Sequence, residues 1–143
     1  MTSFDSLDLS DHLLRAVQTQ GYDAPTPIQL RAIPQIIAGV DLVAEAQTGS
    51  GKTAAFALPI LQKMTSVGTE STTTNIGALV ITPTRELALQ ISATFELLSQ
   101  FAEPAPTVLT IIGGIPIDEQ LSALSSGVDI VVATPGRLLD LME

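Results

Sequence analysis

Apolar residues recur at helical spacing in the first forty positions of the chain. Leu13, Leu14 and Val17 fall on one face of a helix, the arrangement that lets one side pack on a core. Ser10 is placed to cap this helix, and Gly21 is placed to end it. The pattern therefore predicts a first amphipathic helix between those two residues.

A second helix is predicted after Thr26, a capping residue that is followed by Pro27 at the first helical position. This helix is expected to end at Gly39. Pro34 lies inside it and is expected to kink or break it, because proline lacks a backbone N–H and its ring clashes with the preceding turn.

From residue 40 onward, short apolar runs alternate with helix-like stretches. The runs are rich in Val and Ile without polar alternation, which is typical of parallel strands that are buried on both faces. They lie at residues 40–46, 78–82, 108–112 and 129–133, and the helical stretches lie near 52–64, 85–101, 116–125 and 135–142. This order predicts an α/β fold with a doubly wound parallel sheet. The small polar residues at 65–75 predict a flexible surface loop.

The length of 143 residues predicts one domain, and a hydrophobic content of 45% is too high for a disordered chain. No apolar run approaches the roughly 20 residues of a membrane span, and the first residues do not resemble a secretory signal. The chain has no cysteine, which excludes disulfides, thiolate metal sites and cysteine nucleophiles. We therefore expect a cytoplasmic protein without membrane contact.

The charge balance argues against nucleic-acid binding by bulk attraction. Fifteen acidic and six basic side chains give a net charge of −9. In residues 71–143, Arg85 and Arg137 are the only Lys or Arg residues, and both fall within motif-like strings. Their positions are therefore informative.

A phosphate-binding loop is predicted between the first apolar run and the helix that follows it. Its residues are Ala46, Gln47, Thr48, Gly49, Ser50, Gly51, Lys52 and Thr53. They match the pattern G-x-x-x-x-G-K-[ST], except that alanine stands first. The two glycines permit the backbone angles that turn N–H groups toward one anion. The lysine can reach the β- and γ-phosphates, and the threonine hydroxyl can ligate Mg²⁺. The alternative is a glycine-rich turn with an incidental lysine.

An adenine-binding element precedes this loop. The amide of Gln29 offers a donor and an acceptor that match the edge of adenine, and the ring of Tyr22 offers a stacking surface. The alternatives are a solvated glutamine and a tyrosine that fills the core.

Three further strings follow predicted strands. Thr84 with Arg85, and Thr134 with Arg137, stand at helix starts near the carboxyl edge of the sheet, where free N–H groups attract anions. Gly113 and Gly114 follow a third strand at that edge, so the three loops can offer donors to a phosphate chain. The alternatives are ordinary helix caps and arginines paired with acids such as Glu86 or Asp140. Gln120 is a further candidate for support of this surface.

In this order the strings make the sequence resemble the DEAD-box family of ATP-dependent RNA helicases. They are Phe4 with 21–29 (the Q motif), 46–53 (motif I), 83–88 (motif Ia), Gly113-Gly114 (the GG element) and 134–137 (motif Ib). The resemblance implies a RecA-like P-loop domain that binds ATP with Mg²⁺. The implied contacts are Tyr22, Thr26, Gln29 and residues 46–53 for ATP, with Lys52 and Thr53 catalytic and Thr53 on the metal. Those implied for RNA are Pro83, Thr84, Arg85, Gly113, Gly114, Thr134, Pro135, Gly136 and Arg137.

The resemblance also implies what the chain lacks. The family's Asp-Glu-Ala-Asp string is absent. We therefore expect a helical Q-motif segment at 1–39 and a partial first RecA-like domain at 40–143, truncated before the Walker B strand. Such a fragment would bind ATP and the RNA backbone but barely hydrolyse ATP. The full-length protein would couple hydrolysis to local RNA unwinding, with a second RecA-like domain as partner. We expect a monomer in which an exposed sheet edge permits association. The alternatives are a non-catalytic nucleotide- or RNA-binding module and a different P-loop NTPase.

Overall fold

The structure is a computed structural model that describes residues 3–66 and 76–143. The helices are α1 (Asp11–Thr19), α2 (Pro27–Ile37), α3 (Lys52–Ser66), α4 (Arg85–Leu98), α5 (Ile117–Ser125) and α6 (Pro135–Met142), and a 3₁₀ turn spans Phe4–Leu7. The strands are β1 (Ala78–Ile81), β2 (Val108–Ile111) and β3 (Ile130–Ala133). No helix in the described part of the chain is long and apolar enough to cross a membrane.

The chain divides into two compact units. The described residues of the first are 3–66 and 97–105, and those of the second are 76–96 and 106–143. Of the loop predicted at 65–75, the first two residues belong to α3 and the others lie outside the described residues. The division predicted at residue 39 stays a prediction.

In the first unit, α1 forms where the apolar spacing predicts it, and Leu13 and Val17 are buried. Ser10 is its N-cap residue, but the Ser10 hydroxyl makes no capping hydrogen bond. The hydroxyl instead donates to Gln62 Oε1 at 2.8 Å, and the Ser10 backbone N–H donates to the same oxygen at 2.7 Å. Ser10 therefore ties the start of α1 to α3.

Helix α2 packs on α3 and buries Ala32 and Ile33. It begins at the predicted Thr26 cap and continues past Pro34 to Ile37, so the expected break at the proline is wrong. Pro34 lies on the exposed side of the helix. Water can reach that side, so the carbonyl group that loses its N–H partner to the proline does not have to be buried unsatisfied.

The second unit is built on a parallel sheet with strand order β1-β3-β2. Ala78 and Val108 both pair with Ile130, and Ile81 and Ile111 both pair with Ala133. The α/β class with a parallel sheet flanked by helices is confirmed. Because the register is shared, the three strands end at one level.

Burial on both faces holds for the central strand alone. All four residues of β3 are buried, whereas Leu79 and Ile81 of β1 are 51% and 57% exposed. One face of the edge strand β1 is not covered by the described residues. A run rich in Val and Ile is therefore not sufficient to indicate a strand that is buried on both faces.

The strand predicted at 40–46 is wrong. These residues form no regular element, and Val43 is 95% exposed. A strand requires a neighbour for its backbone groups, and no described strand pairs with this segment. The apolar composition of residues 40–46 is suited to a strand, but composition alone does not provide the neighbouring strand that a sheet requires.

Candidate nucleotide and nucleic-acid sites

The side chain of Gln29 is held by the start of its own helix. Gln29 Oε1 accepts from the Thr26 backbone N–H at 2.9 Å, and the Gln29 backbone N–H donates to Thr26 Oγ1 at 3.4 Å. The two bonds together form a capping box. The residue is 3% exposed, so the alternative of a solvated glutamine is wrong. The spacing Thr-x-x-Gln was the signal in the sequence from which this arrangement follows.

The same amide connects the adenine element to the phosphate loop. Gln29 Nε2 donates to the Gly51 carbonyl oxygen at 3.2 Å. Gly51 has a φ of +84°, and a Cβ placed there would collide with Gln29 Nε2 and lie 3.2 Å from Thr26 Oγ1. Gln29 and Gly51, which are 22 positions apart in the sequence, are therefore in direct contact, and only glycine fits at position 51.

The phosphate loop leads directly into α3. Gly49 also has a positive φ, of +82°, and the Ser50 N–H donates to the Gln47 carbonyl oxygen at 3.2 Å, closing a turn. Lys52 is exposed at the first position of α3, and Thr53 beside it is partly buried. A lysine beside the free N–H groups of a helix start is an arrangement suited to phosphate.

The loop also carries an unpaired polar group. Ser50 Oγ is buried and has no hydrogen-bond partner in the described structure. A buried hydroxyl without a partner is costly, and a bound anion or its hydration shell would satisfy it.

Tyr22 lies just beyond α1. Its backbone N–H donates to the Val17 carbonyl oxygen at 3.0 Å, and its side chain is 37% exposed. The alternative of a core-filling tyrosine is therefore wrong. The ring is accessible to a flat ligand, and stacking on it stays a prediction.

The second unit brings two of the predicted nucleic-acid strings into contact. Gly114 has a φ of +88°, and a Cβ built on it would lie 3.0 Å from both terminal nitrogens of Arg85. The absent side chain therefore leaves room for the guanidinium of Arg85, which is otherwise exposed. No ion pair of Arg85 with Glu86 is found among the described residues.

Arg137 is anchored to the same loop by hydrogen bonds. Its Nη1 donates to the Ile115 carbonyl oxygen at 2.6 Å and to Gln120 Oε1 at 3.1 Å. The ion pair of the alternative interpretation is also present, with Nε 3.6 Å from an oxygen of the exposed Asp140. The contact with Ile115 was missed because it involves a backbone carbonyl that no residue pattern reveals.

The two threonines at the helix starts differ. Thr84 Oγ1 accepts from the Leu87 N–H at 3.2 Å, so the alternative of an ordinary cap holds for Thr84. Thr134 is the N-cap residue of α6, but its side chain makes no capping hydrogen bond. Pro83, Pro135 and Gly136 are exposed.

The described residues contain no metal site made of protein side chains alone. In the described ranges, no group of three or more His, Asp or Glu residues is placed to hold a metal ion. Mg²⁺ usually keeps several waters and binds through substrate phosphates with few protein ligands. A single hydroxyl from Thr53 fits that mode of binding.

Comparisons with known proteins agree on one family. A family model described as DEAD/DEAH box helicase matches residues 26–143. The solved structure titled as a hypothetical ATP-dependent RNA helicase from Sulfolobus tokodaii superposes with a TM-score of 0.80 at 36% sequence identity. That likeness covers 94% of this chain and 36% of the other.

Three similar curated proteins are longer than this chain. "ATP-dependent rRNA helicase rrp3" of Aspergillus fumigatus is 49% identical over 99% of this chain, which spans 28% of that protein. "Probable ATP-dependent RNA helicase ddx27" of Dictyostelium discoideum is 46% identical over 98%, spanning 17% of that protein. "ATP-dependent RNA helicase ddx54" of the same organism is 43% identical over 95%, spanning 12%.

Proposed function

The chain belongs to the DEAD/DEAH box helicase family, and from that premise we propose that it is the ATP- and RNA-backbone-binding part of an ATP-dependent RNA helicase. In the full-length protein, ATP hydrolysis would drive local unwinding of an RNA duplex. The family-level assignment rests on matches over nearly the whole chain. The residue-level proposal rests on the contacts of Gln29, Arg85 and Arg137.

The observation that carries the nucleotide proposal is the bridge from Gln29 to Gly51. A glutamine amide has two N–H donors and two acceptor lone pairs. The contacts with Thr26 and Gly51 use one of each. One donor and one acceptor therefore remain, and adenine offers the complementary acceptor N7 and donor N6, whereas guanine presents two acceptors there.

The phosphates are assigned to residues 46–53. Three features favour negative charge at this place. They are the positive φ angles of Gly49 and Gly51, which suit backbone N–H groups directed at one anion, the start of α3, and the ammonium of Lys52. Mg²⁺, when bound with the nucleotide, would bridge phosphate oxygens and neutralise developing charge. Thr53 is the residue of this loop that would contribute a hydroxyl ligand. Adenine and phosphates would then be held by residues of one unit.

The RNA backbone is assigned to the surface around Gly114 in the second unit. Arg85 lies against Gly114 of the 113–115 loop, and Arg137 is bonded to the carbonyl oxygen of Ile115 in the same loop. Two guanidinium groups in contact with one loop are suited to bind neighbouring phosphates of an RNA strand. A chain of net charge −9 must bind RNA through such local groups.

Catalysis is assigned to the full-length protein. Phosphoryl transfer depends on positioned groups that orient the attacking water and stabilise charge. The Asp-Glu-Ala-Asp string that supplies such groups in the family is not in these 143 residues. We propose that this chain binds ATP and that efficient hydrolysis requires the rest of the protein, including a second RecA-like domain. The cytoplasmic location and the monomeric state stay predictions.

Replacing Gln29 by alanine should weaken ATP binding about tenfold more than GTP binding, because a bidentate contact with a base is worth about 1–3 kcal/mol. Loss of the α2 cap and of the bond to Gly51 affects both nucleotides, so their affinity ratio isolates the base contact. Titration of the intact protein with both nucleotides measures the ratio. Gln35→Ala, at an exposed glutamine of the same helix, is the matched control. An unchanged ratio in Gln29→Ala would show that the adenine role is wrong.

Replacing both Arg85 and Arg137 by alanine in the intact protein should lower RNA affinity at least about tenfold, because each charge-assisted bond is worth about 1.5–3 kcal/mol. The slope of log affinity against log salt should also fall, by about 0.7 per lost phosphate contact. Nucleotide binding without RNA should not change. Arg31→Ala, which removes an exposed arginine from α2, is the charge control.

RNA-stimulated ATP hydrolysis by the intact protein tests the function as a whole. It should be present in the wild type and reduced in the double arginine variant at RNA concentrations that saturate the wild type. Unaltered RNA affinity in that variant would favour the capping and pairing alternative. An intact protein that binds nucleotide and RNA without any RNA-stimulated hydrolysis would be the non-catalytic module instead.

A further inference from the structure

Gln120 is a buried polar side chain that joins two of the candidate RNA-binding strings. It lies in the first turn of α5 and is 2% exposed. Its Nε2 donates to the Ile112 carbonyl oxygen at 2.9 Å, at the point where β2 passes into the 113–115 loop. Its Oε1 accepts from Arg137 Nη1 at 3.1 Å. One amide therefore contacts both the base of that loop and an arginine of α6.

The chemistry of these contacts requires both halves of the amide. The Ile112 carbonyl needs a donor and the Arg137 guanidinium needs an acceptor, and glutamine supplies one of each. A buried partner left unsatisfied is costlier than the hydrogen bond is stabilising, so loss of the amide would force the loop or the arginine to move.

The bonds also set the direction of the guanidinium. Nη1 of Arg137 has two N–H groups, and its contacts with Ile115 and Gln120 use both. Nε faces Asp140, which leaves the two N–H groups of Nη2 for a phosphate. The side chain is 17% exposed, so most of it is already fixed before any ligand binds. A pre-ordered arginine loses less conformational freedom when it binds a phosphate.

We propose that Gln120 is a positioning residue for RNA binding, which holds Arg137 and the 113–115 loop in the geometry that receives adjacent phosphates. The inference rests on the proposed function of Arg137. It adds that the spacing between the loop and the arginine is set by a residue that does not itself touch RNA.

The test is a double-mutant cycle in the intact protein. Gln120→Met removes both hydrogen bonds at nearly constant volume, Arg137→Ala removes the guanidinium, and a third protein carries both changes. RNA affinity, ATP affinity without RNA and backbone hydrogen exchange are measured for each. Gln18→Met, at an exposed glutamine of α1, is the matched control.

The expected result is that Gln120→Met lowers RNA affinity by about tenfold or more, as loss of one charge-assisted bond would. It should leave ATP affinity unchanged, because the candidate ATP-binding residues lie in the other unit. Exchange should accelerate at the backbone amides of residues 112–115. With Arg137 already replaced, Gln120→Met should lower RNA affinity by less than it does in the wild type, because the part of its effect that passes through that arginine is then gone.

Four outcomes would overturn the inference, and they are distinguishable. Unaltered RNA affinity in Gln120→Met, with a loss in Arg137→Ala, would remove the positioning role and leave the proposed RNA site intact. Unaltered affinity in Arg137→Ala would remove both. Loss of ATP binding together with RNA binding in Gln120→Met would make Gln120 a residue needed for folding rather than for this site. Full additivity in the double variant would show that Gln120 does not act through Arg137.

Discussion

Lys52→Ala is expected to abolish nucleotide binding, with a loss of affinity of about 100-fold or more. The ammonium is the only cation among residues 46–53, and α3 begins at this residue, so a phosphate bound there would meet both the charge and the free N–H groups. A charge-assisted bond to phosphate is worth about 1.5–3 kcal/mol, and attraction to a multiply charged ligand adds to it. Calorimetric titration of the intact protein with ATP measures the effect.

Lys63→Ala is the matched control for that experiment. Lys63 is exposed in the last turn of the same helix, so its removal changes the net charge and the composition of α3 equally. Lys63→Ala should leave ATP affinity within about twofold of the wild-type value. Lys63 lies at the opposite end of α3 from Lys52, and salt screens an exposed charge at such a separation from the phosphates. ATP affinity retained in Lys52→Ala would show that residues 46–53 do not hold the phosphates.

Gly51→Ala is expected to lower ATP affinity to a similar extent, for a different reason. The backbone at this residue has a φ of +84°, which costs an L-residue about 1–2 kcal/mol. The added methyl group would also displace the amide of Gln29, breaking its bond to the Gly51 carbonyl oxygen. The two effects act on the phosphate loop and the adenine element together, so ATP affinity should fall by about 100-fold.

Gly39→Ala separates the backbone strain from the collision. Gly39 has the same φ of +84°, but a Cβ there would meet nothing within 4 Å. Thermal unfolding should show both variants destabilised by about 1 kcal/mol or more, and only Gly51→Ala should lose ATP affinity. If Gly51→Ala binds ATP as tightly as Gly39→Ala does, the contact with Gln29 has no part in the nucleotide site.

The elements were predictable where a local signal decides them. Thr26 before Pro27 places the start of α2, and the Val- and Ile-rich runs place all three strands of the sheet. The segment at 40–46 carries the same signal without forming a strand, because pairing depends on a partner that composition does not specify. Pro34 shows the converse error, since a proline on an exposed helix side is tolerated where its ring and missing N–H meet solvent.

The candidate sites were predictable as sets of residues and not as contacts. Motif order assigns Gln29 and Gly51 to one ligand, but their direct bond follows from the fold of the first unit. The sequence offered Asp140 as an alternative partner for Arg137, and the shorter bond of Arg137 runs to the carbonyl oxygen of Ile115. Backbone acceptors leave no trace in residue identity, because every residue has one.

The shared register of β1, β2 and β3 constrains the length of each strand. Ile81, Ala133 and Ile111 stand side by side, and the N–H groups of Thr82 and Thr134 continue the pairing beyond them. Inserting one residue into any strand would shift its loop by about 3.3 Å and turn its side chains to the opposite face. An insertion before Ala78, Val108 or Ile130, where the paired segments begin, would leave the level of the strand ends unchanged.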